Sequence, residues 1–333
     1  MQTVTTQPRI ESKPADAAVD VVRLSKALGD ELRTQILAVL AQNSFAVLEL
    51  CSIFKKPQPA LSHHLKKLAD ASLVNKRQEG TSVFYQRARA EDAFTQAAFA
   101  CIDGQMLPDE ISQNVQQIYQ RRVQRSEHFF AHQADALAQQ TALICHPEVY
   151  INTVLDCLHN YSQQPVHHAL EIGPGSGALM LALAPLCNRI TGIDNAAEML
   201  SEASRNLHKV ENVTLLEQDF STMQNTERFD LVAAAMVLHH MPAPADFFKK
   251  ARSLMREQSL LVVAELCRHE QTWVSELCAD IWLGFEAADL NRWAKEAGFT
   301  SVHQQFLAQR NGFRVQVSAF APTPQLLTQP DHP

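Results

Sequence analysis

Three of the chain's ten glycines fall within five residues, in Ala169-Leu170-Glu171-Ile172-Gly173-Pro174-Gly175-Ser176-Gly177. The apolar run before them reads as a strand ending on an acid, and Ala178–Leu186 behind them reads as a helix. Glycines there let a ligand lie against bare backbone, and the helix start offers free N–H groups. A second apolar run, Arg189–Ile193, ends on Asp194, and a third, Val213–Leu216, closes on Asp219. Strand, glycine loop, helix, strand and acid is the order by which a doubly wound parallel sheet holds a nucleoside at the carboxyl ends of its strands.

Spacing decides between nucleoside ligands. A dinucleotide fingerprint is Gly-x-Gly-x-x-Gly, whereas Gly177 arrives one residue early, and Glu171 precedes the loop. A methionine moiety carries an ammonium group that a carboxylate at Glu171 can pair with. Asp194 is then placed to accept from both ribose hydroxyls, and Asp219 from the adenine amino group. Residues 146–322 accordingly read as a domain for S-adenosylmethionine or its product.

Residues 166–320 resemble a class I S-adenosylmethionine-dependent methyltransferase. The resemblance rests on Glu171–Gly177, Gly192-Ile193-Asp194-Asn195, Gln218-Asp219-Phe220, the strand Phe229–Ala235 opening into Met236-Val237-Leu238-His239-His240, Ser259–Glu265 and Glu296-Ala297-Gly298-Phe299. It implies a Rossmann-like α/β domain with a mainly parallel seven-stranded sheet. It also implies a cofactor site at Glu171, Gly173, Gly175, Gly177, Asp194, Asn195, Asp219, Phe220 and Met236. Methyl transfer to a good nucleophile needs little acid–base help, so His239 and His240 are the only catalytic candidates, as a base or as plain strand-end caps. Trp273, Trp282 and Phe285 read as the lining of a substrate cavity or, in preference, as core.

The front of the chain differs in charge. Residues 1–90 hold 13 Lys and Arg against 8 Asp and Glu, and the remainder holds 16 against 28. A basic front on an acidic body points to a polyanion that only the front meets. Helical periodicity runs over Ala17–Leu28, Glu31–Gln42, Val47–Phe54 and Ala60–Ala71, followed by a hairpin, Leu73–Gln78 and Ser82–Gln86. That order is a winged helix-turn-helix, mostly α with a β-hairpin wing. Gln58, Ser62 and His63 are the candidates for base edges, and Lys66, Lys67, Lys76 and Arg77 for phosphates.

Residues 19–90 resemble the ArsR-type bacterial repressors through Leu28-Gly29-Asp30-Glu31-Leu32-Arg33, Leu61–Leu68 and Gly80–Tyr85. The resemblance implies a homodimer on double-stranded operator DNA that an effector releases. The thiolate metal sensors of that family carry Cys-x-Cys on the third helix. Cys51-Ser52-Ile53 supplies one sulfur and Glu91–Asp103 no histidine, so no metal is expected.

The expected layout is a disordered leader (1–16), the winged helix-turn-helix (17–90), a helical connector and dimerisation region (91–145), the methyltransferase domain (146–322) and a disordered tail (323–333). Connector helices are read at Glu91–Asp103, Asp109–Gln140 and, opening the next domain, Glu148–Asn160. Arg121, Arg122, Arg125 and His128 read as a solvated basic face, and Phe129, Phe130 and Gln133 as a cover for the cofactor. Seven scattered cysteines without a Cys-x-x-Cys pair, no apolar leader and no apolar run near ~20 residues indicate a reduced, cytoplasmic chain off the membrane.

Two functions remain open. One is a regulator that senses S-adenosylmethionine or S-adenosylhomocysteine and controls methionine-cycle or related genes, to which Gln58–Leu65 bears likeness. The other is an active small-molecule methyltransferase that regulates its own operon.

Overall fold

The computed structural model describes residues 20–324 apart from 42, 80–81, 163, 225–226, 275–277 and 279, and excludes the side chains of 79 and 126–142. The expected leader and all but the first two residues of the expected tail lie outside the described residues, as do the side chains of His128, Phe129, Phe130 and Gln133.

The N-terminal half packs α1 (Val21–Leu28), α2 (Glu31–Val39), α3 (Val47–Phe54) and α4 (Gln58–Asp70) around Leu24, Ile36, Leu37, Leu50, Ile53, Leu61, Leu65 and Leu68. Asp20 and Asp30 cap the first two helices, each accepting from the backbone N–H three residues on. Helix α4 starts at Gln58, ahead of the expected Ala60, because Pro59 in the first turn lacks an N–H that would have had no partner there. Strand β1 (Phe45–Ala46) joins the wing, β2 (Val74–Glu79) and β3 (Ser82–Arg87), in the order β1-β3-β2.

Helix α5 (Ala93–Asp103) leads to α6 (Asp109–Ile144), which is 36 residues long and runs on to Cys145-His146-Pro147. Helix α7 (Glu148–Tyr161) then opens the second half.

The C-terminal half is built on β4 (Val166–Ile172), β5 (Cys187–Asp194), β6 (Val213–Glu217), β7 (Phe229–Ala235), β8 (Met255–Leu266), β9 (Phe299–Ala308) and β10 (Arg314–Pro322). The sheet order is β6-β5-β4-β7-β8-β10-β9, and β10 alone runs antiparallel to both its neighbours. Helices α8 (Ala178–Leu183), α9 (Ala197–Leu207), α10 (Pro244–Leu254) and α11 (Ala287–Glu296) complete it. The inner strands β4 and β7, and β8 from Ser259 onward, are buried almost without a break because both faces are covered. Strand order reverses between β4 and β7, so the crevice that such a sheet leaves open falls beyond the ends of β4, β5 and β7.

Candidate functional site

A cavity of about 920 Å³ occupies that crevice. Its floor is the turn after β4. Gly173 sits at φ +64°, and a Cβ there would lie 2.6 Å from Val237 Cγ2, so no other residue fits without displacing the next strand's exit. Glu171 is 2% exposed, burial pushes its carboxyl well above the usual range, and its Oε2 has no hydrogen-bond partner among the described residues. A buried carboxylate oxygen in that state favours a cationic or donor ligand.

The other expected acids line the same cavity. Burial pushes the Asp194 carboxyl up to about 6, against backbone bonds from Ala196 N (2.9 Å) and from Asn195. Asp219 already accepts from Ser221 N at 2.7 Å and Ser221 Oγ at 2.9 Å, which fixes its direction and leaves lone pairs for another donor. Phe220 packs on Phe247 with ring centroids 5.3 Å apart. Met236 takes φ +56°, a left-handed conformation unusual for a side-chain-bearing residue, at the point where β7 leaves the sheet. Asn195, Gly173 and Gly175 also line the space, while Gly177 stands behind it, where a Cβ would meet Leu207 at 2.8 Å.

His239 and His240 occupy a 3₁₀ turn, Leu238–His240, against the opposite wall. His239 Nδ1 is 2.6 Å from Glu265 Oε1, and its Nε2 is 3.9 Å from Asp280 Oδ1. Burial alone would push the imidazole down; the Glu265 and Asp280 charges outweigh it and hold the group up at about 9. His240 Nδ1 lies 3.8 Å from the same Asp280 oxygen. Sequence reasoning had Glu265 only as part of a strand and missed Asp280. A charge within the apolar run Leu260–Leu266 was the available signal for the first; the second arrives from a loop.

Sequence reasoning set α6 over the cofactor through Phe129, Phe130 and Gln133, whose side chains lie outside the described residues, and missed the residues that line the cavity's remaining wall. Helix α6 contributes Gln116, Tyr119, Gln120, Val123 and Gln124, and the segment after it contributes Cys145, His146 and Tyr150. One turn of α6 is also the seam between the halves. Arg122, expected on a solvated face, is 7% exposed. Its guanidinium donates to both Glu49 oxygens (2.9 and 2.6 Å), to Ser44 O (3.0 Å) and, across the seam, to Pro242 O (2.7 Å). It lies over the rings of Trp282 (4.9 Å), Phe45 (5.1 Å) and Phe84 (5.8 Å). An aromatic cluster on two separate domains supplied the burial that a lone helix lacks. Trp282 and Phe285 are core as expected, Trp273 partly so.

Gln58, His63, Lys66 and Lys67 are exposed on α4, with Ser62 half-buried among them, and Lys76 is exposed on β2. Arg77 takes the other face of that strand. It donates to Gly284 O at 3.4 Å and lies 5.7 Å from the centroid of Trp282, so in this structure it serves the seam between the halves. Phe84 of β3 meets Trp282 edge-on at 5.4 Å. Cys51 is half-buried against the α3–α4 core, and all seven cysteines are free thiols.

Two family models match this chain: a methyltransferase domain over residues 170–263 and a bacterial regulatory protein of the arsR family over residues 30–76. An uncharacterized HTH-type transcriptional regulator of Methanocaldococcus jannaschii is 49% identical over 61 residues, 18% of this chain and 68% of that protein. Nodulation protein S of Rhizobium tropici is 31% identical over 99 residues, 30% of this chain. The chain spans 42% of that relative's length. The solved N-methyltransferase NodS of Bradyrhizobium japonicum WM9, in complex with S-adenosyl-l-homocysteine, superposes with a TM-score of 0.46 at 19% identity, over 62% of this chain and 99% of that one. No helix among the described residues is long and apolar enough to cross a membrane.

Proposed function

Since the chain belongs to the arsR family of bacterial regulatory proteins and carries a methyltransferase domain behind its winged helix, we propose that it is a DNA-binding regulator whose operator affinity is set by S-adenosylmethionine or S-adenosylhomocysteine in the C-terminal cavity. In this reading Gln58, Ser62 and His63 meet base edges, and Lys66, Lys67 and Lys76 meet phosphates, in a homodimer. Glu171 faces the ligand's ammonium group, Asp194 its ribose and Asp219 its adenine, over the backbone of the glycine turn.

The observation that carries the proposal is the double use of α6. The helix packs on α3 of the DNA-binding half and lines the cavity with Tyr119 and Val123, while Arg122 between them grips Glu49 on one side and Pro242 on the other. A ligand that binds two arrangements of this seam unequally shifts DNA affinity by that difference, typically about 1–3 kcal/mol, or roughly 5–150-fold. The helix is a rigid element, whereas a Gly/Ser tether would lose the coupling.

The test is a DNA-binding titration on the protein's own promoter region, with each nucleoside added at saturation. Equal affinity with and without both nucleosides sinks the proposal, as does an absence of binding heat in calorimetry.

A second reading, an active small-molecule methyltransferase, is favoured by His239, which lines the cavity and is held from behind by Glu265. A protonated imidazole there donates to an acceptor or, after losing its proton, serves as base. Transfer of label from S-adenosylmethionine to a small molecule in cell extract supports it; label confined to the cofactor refutes it.

A further inference from the structure

We propose that His239, His240 and Asp280 form a binding site for one first-row divalent metal ion in the wall of the cavity. The three offer His239 Nε2, an imidazole nitrogen of His240 and a carboxylate oxygen of Asp280, all within 4.8 Å of one another. The two spans to Asp280 Oδ1, 3.9 Å from His239 Nε2 and 3.8 Å from His240 Nδ1, are too long for direct hydrogen bonds. They suit a shared centre. Ligand atoms bound at about 2.0–2.2 Å stand roughly 3–4.4 Å apart around one ion.

The surroundings are those a metal-binding histidine needs. Glu265 Oε1, on a fully buried side chain, holds His239 Nδ1 at 2.6 Å and so turns Nε2 toward Asp280. A carboxylate behind an imidazole fixes ring orientation and raises its basicity as a ligand. The loop carrying Asp280 is pinned to the histidine turn by its own backbone. Ile281 N and Trp282 N both donate to His239 O, at 3.0 and 3.2 Å. Charge points the same way. Two carboxylates with no side-chain exposure, Glu265 and Asp280, flank His239, and buried anionic groups favour a cation between them. Two imidazoles and one carboxylate suit zinc, iron, cobalt or manganese over magnesium or calcium. The site reverses the expectation of a metal-free chain, and it lies in the methyltransferase half, away from the helices on which thiolate sensors of the arsR family place their ligands.

The test strips the full-length protein with a chelator and titrates it with cobalt(II), reading the visible d–d absorption and metal content after dialysis. One saturable equivalent per chain, displaced by zinc, is expected. Asp280→Asn and His240→Gln should each weaken it at least tenfold, and Glu265→Gln by about 10–100-fold. Near-UV circular dichroism checks that each variant keeps its packing. The wild-type titration stands alone if Asp280→Asn fails to fold. No saturable cobalt band in the wild-type protein overturns the site. Unchanged affinity in folded His240→Gln and Asp280→Asn overturns it equally, since the ion then sits elsewhere. The cobalt signal is read without nucleoside, so its failure is separate from any failure of the regulatory reading.

Discussion

Arg122→Met cuts the seam between the two halves while keeping an apolar chain against Trp282, Phe45 and Phe84. Two of the lost bonds go to the Glu49 carboxylate, and bonds to charged groups contribute about 1.5–3 kcal/mol each. Removing one partner of a buried pair costs about 3–5 kcal/mol in all. Glu49 keeps one donor, Ala46 N at 2.8 Å, and its side chain stays 22% exposed, so water relieves part of the loss. Those two facts place the expected cost at the low end, about 3 kcal/mol. Urea unfolding followed by tryptophan fluorescence measures it, because Trp282 lies under the guanidinium. The same variant should bind S-adenosylhomocysteine within about threefold of wild type while its operator affinity no longer answers to the ligand. A cost below about 1 kcal/mol together with an undiminished ligand response would refute the reasoning.

Three further changes probe the pocket and the DNA face. Asp194→Asn should weaken nucleoside binding at least tenfold in calorimetry, yet stabilise the ligand-free chain at pH 8. A carboxyl lifted from its ordinary 3.8 to about 6 costs roughly 3 kcal/mol once ionised, stability that wild type loses as pH rises from about 4 through 6. Equal urea midpoints for the two proteins at pH 8 would count against that burial. Gly173→Ala must adopt φ +64° and place Cβ 2.6 Å from Val237 Cγ2, so a loss of about 2 kcal/mol is expected, only part of it recovered by adding Val237→Ala. Full recovery in the double variant would mean that backbone conformation contributes nothing. Lys66→Ala should weaken operator and unrelated DNA alike and lower the salt slope by about one; a sequence-selective loss would move Lys66 from phosphate to base.

What was legible in the sequence is what chemistry confines to a few consecutive residues. The turn Gly173–Gly177 fixes a backbone shape that few other sequences adopt, and Glu171, Asp194 and Asp219 stand next to the strand ends that define them. Hence the parallel sheet and one wall of the cavity could be read without coordinates. Arg122 could not. Its environment is made by Phe45 and Glu49 from one domain and by Pro242 and Trp282 from another, so nothing within one helical turn of it distinguishes it from exposed Arg121 or Arg125. Asp280 was hidden for the same reason, reaching His239 through a loop bonded to that residue's carbonyl. Yet the sequence of α6 did carry a trace of this role. The helix buries Ile111 and Ile118 in the N-terminal core, with Val115 and Tyr119 packed against it, and still turns Gln116, Gln120 and Gln124 to the cavity. Polar side chains on that second flank, beyond what one core covers, are the ones left to meet a ligand between the two halves.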